Sequence, residues 1–365
     1  MEKSKNIRNS VIELLRVFSM FLIIMSHYSV HGATNVVTTY SFNTVILEIC
    51  SQGGLGVCIF MMISGYYLIS STKTKLFKVI RLVLEVLFYS VSLYFISIGL
   101  GVMSFSWTDL LKNIFSIIFT KHWFISAYIV IYIFHPFINK LLNNLSNKDY
   151  LIMLILMFVF WSVIPLVSAT NFGLSDILFL FIIYAIGGFI NRLQKQEHKF
   201  ITTKNGLLLA GIGSAVIVVF TVGIGLIGHF WVKELNHYST LGLSTKNSPV
   251  VIITALGYLL IGITIKPFYS KTINFLSSFI LGVYLIHDNE YFRQFLFSPK
   301  AFNVPYYAST NLLIPHMIGC SLAVLFGCIL IDCLRTYLLE KPLFYFIDKI
   351  KFTKKGPTSS IKSVK

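Results

Sequence analysis

Residues 11–31, VIELLRVFSMFLIIMSHYSVH, make an apolar run long enough to cross a bilayer, yet Glu13, Arg16 and His27 lie inside it. At about 100° per residue, the eleven positions from Arg16 to His27 return the helix to within about 20° of the same face, about 16 Å further along the axis. Glu13 joins that stripe one turn before Arg16. An ionisable group in mid-membrane costs roughly 2.5–3.5 kcal/mol even on mild scales, so the stripe is expected to face a bundle interior or a wetted cavity. The alternative is that Glu13 and Arg16 neutralise each other near one headgroup layer while His27 is wetted at the other.

The rest of the chain belongs with such a helix. Of 365 residues, 56% are hydrophobic and 12% charged, and the mean hydropathy is +0.77. A soluble domain carries about twice that charged fraction. The fold class expected is all-α, a polytopic membrane helix bundle. A net charge of +16 could signal nucleic-acid binding, but the basic residues form short clusters between apolar runs, where membrane orientation puts them. Cys50, Cys58, Cys320, Cys328 and Cys333 sit in or beside apolar runs without metal-ligand spacing, so they read as packing residues and no metal is expected. The first run is too long for a signal-peptide core and lacks a small-x-small cleavage site, which makes it a retained signal anchor.

Ten apolar windows appear, near 11–31, 45–70, 78–103, 122–139, 150–168, 174–191, 206–228, 249–266, 273–289 and 311–334. With both termini cytoplasmic, most Lys and Arg fall inside, and only Lys112, Lys121, Lys233, Lys246, Arg293 and Lys300 fall outside, as the positive-inside rule asks. One transmembrane domain over residues 1–348 and a basic tail over 349–365 account for the whole, the tail suited to anionic lipid. The segment 107–119 alternates as an amphipathic helix, lying in the outer interface or packed across the bundle mouth. The loop 229–248 brings His229, Trp231, Glu234 and His237, which suit sugar recognition but read first as an ordinary interfacial loop.

Several polar groups could carry chemistry. An imidazole such as His27 can take and return a proton near neutral pH. Lys73, Lys75, Lys78 and Arg81 form a cationic cluster on the cytoplasmic side, with Lys78 and Arg81 three apart on one face; they could grip phosphates or serve orientation alone. Trp123 and Tyr128 fit an outer belt, and His135, before Pro136, reads as a wetted helix-end histidine. His287, Asp288 and Asn289 end the ninth window, as an interfacial stop or as a site.

Taken together, these segments resemble the acyltransferase-3 family of integral-membrane O-acyltransferases, in its branch that modifies bacterial surface polysaccharides. IELLRVFSMFLIIMSH is similar to its first-helix signature through Glu13, Arg16 and His27. GVCIFMMISGYYLI is similar to its second-helix element through Ser64, Gly65 and Tyr66. FKVIR is similar to its paired basic motif, with Lys78 where Arg is more usual, and WFISAY and GVYLIHDN resemble its fourth and late spans. Some branches carry an acid five residues after the fourth-span Trp; Tyr128 stands there, so no acid role is assigned. The resemblance implies a bacterial plasma-membrane enzyme moving an acyl group, acetyl first, from cytoplasmic acetyl-CoA as co-substrate to a hydroxyl on an extracytoplasmic polysaccharide or lipid-linked glycan. His27, Arg16 and Glu13 would be catalytic, Lys73, Lys75, Lys78, Arg81, Ser64 and Tyr66 would hold the donor, and Trp123, Tyr128, His287, Asp288 and Asn289 the acceptor. His27 would act as general base or carry the acyl group transiently, with Asp288 orienting it if the first and ninth spans are neighbours. A secondary transporter or flippase is the rival; it should show matching halves, and none is visible. A polysaccharide polymerase would want a larger outer loop.

Overall fold

A computed structural model describes residues 8–33, 40–168, 172–231, 245–343 and 345. Glu234, His237 and the basic tail from Lys349 lie outside them. Among the described residues there is no strand, and the helices in chain order are α1 (Ser10–His27), α2 (Phe42–Cys50), α3 (Gly53–Leu68), α4 (Leu76–Gly99), α5 (Trp107–Ile114), α6 (Trp123–Asn144), α7 (Asn147–Phe158), α8 (Ile164–Ser168), α9 (Asp176–Lys195), α10 (Thr203–Phe230), α11 (Pro249–Thr264), α12 (Lys271–Ser277), α13 (Ile280–His287), α14 (Glu290–Phe297), α15 (Val304–Ala308) and α16 (Leu313–Arg335). Short π-helical turns extend α1 through Tyr28–Ala33, join α7 to α8 and follow α16.

Serine and threonine start these helices where the sequence supplies them. The side chains of Ser41, Ser106, Ser146, Ser175, Thr202 and Ser270 each accept from the amide three residues on, satisfying one orphan donor at the first turns of α2, α5, α7, α9, α10 and α12.

Eight of the apolar windows fold as helices long enough to span a membrane. The other two are different. Pro249–Thr264 has 16 residues, about 24 Å of helix against a hydrocarbon core of about 30 Å. The window 273–289 is broken into α12 and α13, with Ser278 and Phe279 held by i→i+3 bonds to Phe275 and Leu276. Irregular backbone at membrane depth needs protein or a cavity around it, and here Ile280 and Leu281 line one. Exposed Leu, Ile, Val and Phe on α7, α10 and α16 form the surface that lipid must cover.

Helix α1 is the hub, packed on α3, α11, α12, α13 and α16. Its neighbour α3 lies along α9 at very close range, because a Cβ on Gly65 would strike the Tyr184 carbonyl and one on Gly187 the Met62 carbonyl. The five cysteines are free, and Cys58, Cys320 and Cys328 are buried in packing.

Two local expectations resolve. Segment 107–119 turns its apolar residues Trp107, Leu111, Phe115, Ile118 and Phe119 outward and buries Asn113 and Ser116 against the bundle. That is the interfacial arrangement, since a cover over the mouth would bury the opposite face. His135 is a correction, being fully buried. Pro136 denies the Tyr132 carbonyl its usual amide donor, and His135 Nδ1 donates to that oxygen at 2.6 Å while Nε2 lies 3.1 Å from Ser71 Oγ. Asn139 donates to the carbonyls of Leu68 and Ser71, and Asn143 to that of Ile69, so α6 satisfies the end of α3.

Candidate functional site

The polar stripe of α1 does two jobs at two depths. At one end Glu13, 4% exposed, takes a bidentate pair from Arg8 at 2.7 and 2.9 Å and a bond from Arg16 Nη1 at 2.7 Å. Ser277 Oγ donates to the same carboxylate, from the last residue of α12. Ser10 Oγ donates to Asn274 Oδ1 at 3.0 Å and accepts from the Ser270 amide at 2.7 Å. Every oxygen of Glu13 is engaged within the chain, so Glu13 fastens α1 to the broken helix. Arg16 stands between that anchor and Lys78, within electrostatic reach of it.

Above the anchor a cavity of about 390 Å³ follows α1 from Met20 through Ile23, Ser26 and His27 to His31, a length of about 16 Å. Val57 and Phe60 of α3, Lys78 and Leu82 of α4, Trp123 and Tyr128 of α6, Ile280 of α13 and then Tyr284 and Asp288 complete its wall. Residues as far apart in the chain as His27 and Asp288 thus share one chamber, mostly apolar with few convergent polar groups, as small-molecule sites are.

His27 is 17% exposed. Its Nδ1 faces Asp288 Oδ1 at 3.6 Å, beyond direct hydrogen-bond length, so an approach of under 1 Å would complete the pair. Arg293 Nη1 donates to the same oxygen at 2.5 Å and offsets the cost of burying the carboxylate. Spans one and nine are neighbours, and the orientation leaves His27 Nε2 for the cavity. The ring also lies against His287, centroids 5.1 Å apart, and His31, at 5.2 Å. His287 is fully buried and donates through Nδ1 to the Val283 carbonyl at 2.6 Å. The His122 ring is buried 6.0 Å from that of Tyr284, and neither of its nitrogens has a hydrogen-bond partner.

The residues expected to hold a donor separate. Lys78 lines the cavity with Nζ 4.9 Å from the Tyr132 ring, while Lys73 and Lys75 are exposed on the link before α4. Arg81 does not share their face. It pairs with Glu340 beside Arg335, which itself donates to Asp332 and Glu340 at 2.7 Å. Ser64 donates back to the Phe60 carbonyl at 3.1 Å and reaches Tyr128, whereas Tyr66 donates to Gln194 of α9. The Ser-Gly-Tyr element therefore builds the α3–α9 contact. Asn289 caps α14, accepting from the amides of Tyr291 and Phe292 at 3.2 Å, and is not a cavity wall. Trp123, Tyr128 and Asp288 are.

Three wall or support residues were not picked out from sequence. His31 follows His27 by one turn, a spacing that could have flagged it. Arg293 is five residues past Asp288. Lys246 gave no signal beyond being a loop lysine. Its backbone lies where a Gly54 Cβ would be, its carbonyl is 3.5 Å from Cys58 Sγ, and its Nζ sits 4.0 Å over Trp123 and pairs with Asp176.

Searches of the curated proteins and of the solved structures gave no match. A family model described as an acyltransferase domain matches residues 9–333, from the anchor beside Glu13 through all the cavity walls to the end of α16. By that match the chain belongs to the acyltransferase-3 family and is a membrane acyltransferase.

Proposed function

We propose that the chain transfers an acyl group, acetyl first, from acyl-coenzyme A to a hydroxyl of a cell-surface or exopolysaccharide glycan across a bacterial plasma membrane. The observation that carries this reading is the single cavity joining Lys78 to His27 along α1. Its length along α1 suits an acyl-pantetheine arm, and the nucleotide would stay at the Lys78 end near Lys73 and Lys75 and their charge. Basic residues concentrate toward the Glu13 end, which supports a cytoplasmic donor and an acceptor at the His27 end.

In this mechanism the acceptor hydroxyl gives its proton to His27 Nε2 as its oxygen attacks the thioester carbonyl. The tetrahedral intermediate collapses, the C–S bond breaks, and the thiolate leaves toward Lys78. Asp288, backed by Arg293, holds the His27 tautomer and stabilises the imidazolium. Transient acylation of His27 is the two-step variant. Arg16 steadies the donor arm from below, and Trp123 and Tyr128 shape the acceptor end.

The test compares ester acetate on purified surface polysaccharide from cells lacking the chain, cells given wild type and cells given His27→Ala at equal expression. Acetate should return with wild type alone. Acetate unchanged by loss of the chain would overturn the acceptor assignment, and undiminished acetate with His27→Ala would overturn the base.

A further inference from the structure

His31 is carried on the π-helical turn Tyr28–Ala33, directly beyond His27. Such turns place side chains differently from an α-helix and recur at functional sites. Here the turn sets the His31 ring edge-on to His27 at 5.2 Å. Both imidazoles line the cavity, but His27 is mostly enclosed and His31 is exposed. On the other flank of His27, the His287 imidazole is fully buried. A proton received by His27 therefore has one neighbouring histidine that is fully buried and one that is exposed. Among the described residues, the charged groups within reach of His31 are Arg293 and Asp288, already joined to each other.

We propose that His31 is the proton outlet of the transfer. The inference rests on the general-base reading of His27. The acceptor O–H breaks and its proton goes to His27 Nε2; the new C–O bond forms and the C–S bond breaks, its electron pair going to sulfur. The proton then passes from His27 to His31, directly or through one water, and on to the water at that end. The thiolate takes its proton from water at the Lys78 end, so alcohol and thioester give ester and thiol with no other reactant. One proton is thus released at the His27 end for each one taken up at the Lys78 end. His31 touches neither the donor nor the acceptor in this scheme and acts through His27.

The full-length chain in proteoliposomes, supplied with acetyl-CoA and with a membrane extract from cells lacking the chain as acceptor source, gives turnover as free thiol released. His31→Ala should lower kcat about 10- to 100-fold, with KM for acetyl-CoA unchanged, and added imidazole or a small buffer should restore much of the rate. His31→Gln, which keeps polarity without a titratable group, should be equally slow and equally rescued. Turnover within twofold of wild type in both variants would overturn the outlet, as would a loss that imidazole and buffer leave untouched while acetyl-CoA still binds. His27→Ala in the same assay separates the two ideas: full activity there removes the base itself, whereas an inactive His27→Ala beside an active His31→Ala removes the outlet alone.

Discussion

At the scale of single residues, the three groups of the α1 stripe part company. Glu13 is consumed by Arg8, Arg16 and Ser277, and His27 alone presents a free ring edge to the chamber. His27→Ala should therefore cost at least about 100-fold in turnover, the usual contribution of a general base. Asp288→Asn should cost less, about 10-fold, because the ring stays in place but loses its stabiliser; acetyl-CoA binding to the purified protein should be unchanged in both, measured by equilibrium binding of labelled donor. His135 belongs to the other category of buried imidazole. His135→Ala strands the Tyr132 carbonyl beside Pro136 and should destabilise the bundle by about 1–3 kcal/mol, read as a lower melting temperature in detergent, with no specific loss of turnover per folded molecule. The sequence set the two apart, but it read His135 as a wetted helix end and could not show that it is buried. Position along the stripe marked His27, while the bond that defines His135 depends on a proline one residue away and on Ser71 in another segment.

At the scale of elements, hydropathy made the long helices legible, since a span of about twenty apolar residues leaves few alternatives. It could not show the break between α12 and α13, beside which Ser277 bonds to Glu13, 264 residues away in the chain. Nor could spacing tell that Lys78 and Arg81 diverge, because the partner that draws Arg81 away, Glu340, arrives only after α16. The Ser64-Gly65-Tyr66 element was visible as a motif, and its work became clear only once α9 was beside it. Gly65 has no room for a side chain against the Tyr184 backbone. Gly65→Leu should force α3 from α9 and destabilise by about 1–3 kcal/mol or more, seen as reduced yield of monodisperse protein and a lower melting temperature. A fully stable Gly65→Leu protein would mean that the two helices can separate without cost.

At the scale of the whole molecule, the bundle is organised so that one cavity runs beside α1 and has Lys78, His27 and Asp288 in its wall. The anchor at Glu13 fixes the helix, the break at Ser278 and Phe279 opens wall space for Ile280 and Leu281, and the turn after α13 returns Asp288 to His27. The central claim is that this passage carries the reacting group from Lys78 to His27. The most direct measurement fills it: Val57→Trp, at a buried wall position on α3, assayed for acetyl-CoA binding and for thiol release in the same folded preparation. The account predicts donor binding near the wild-type level with turnover reduced at least about 100-fold, the arm being held short of the imidazole. Wild-type turnover with the passage filled would contradict it.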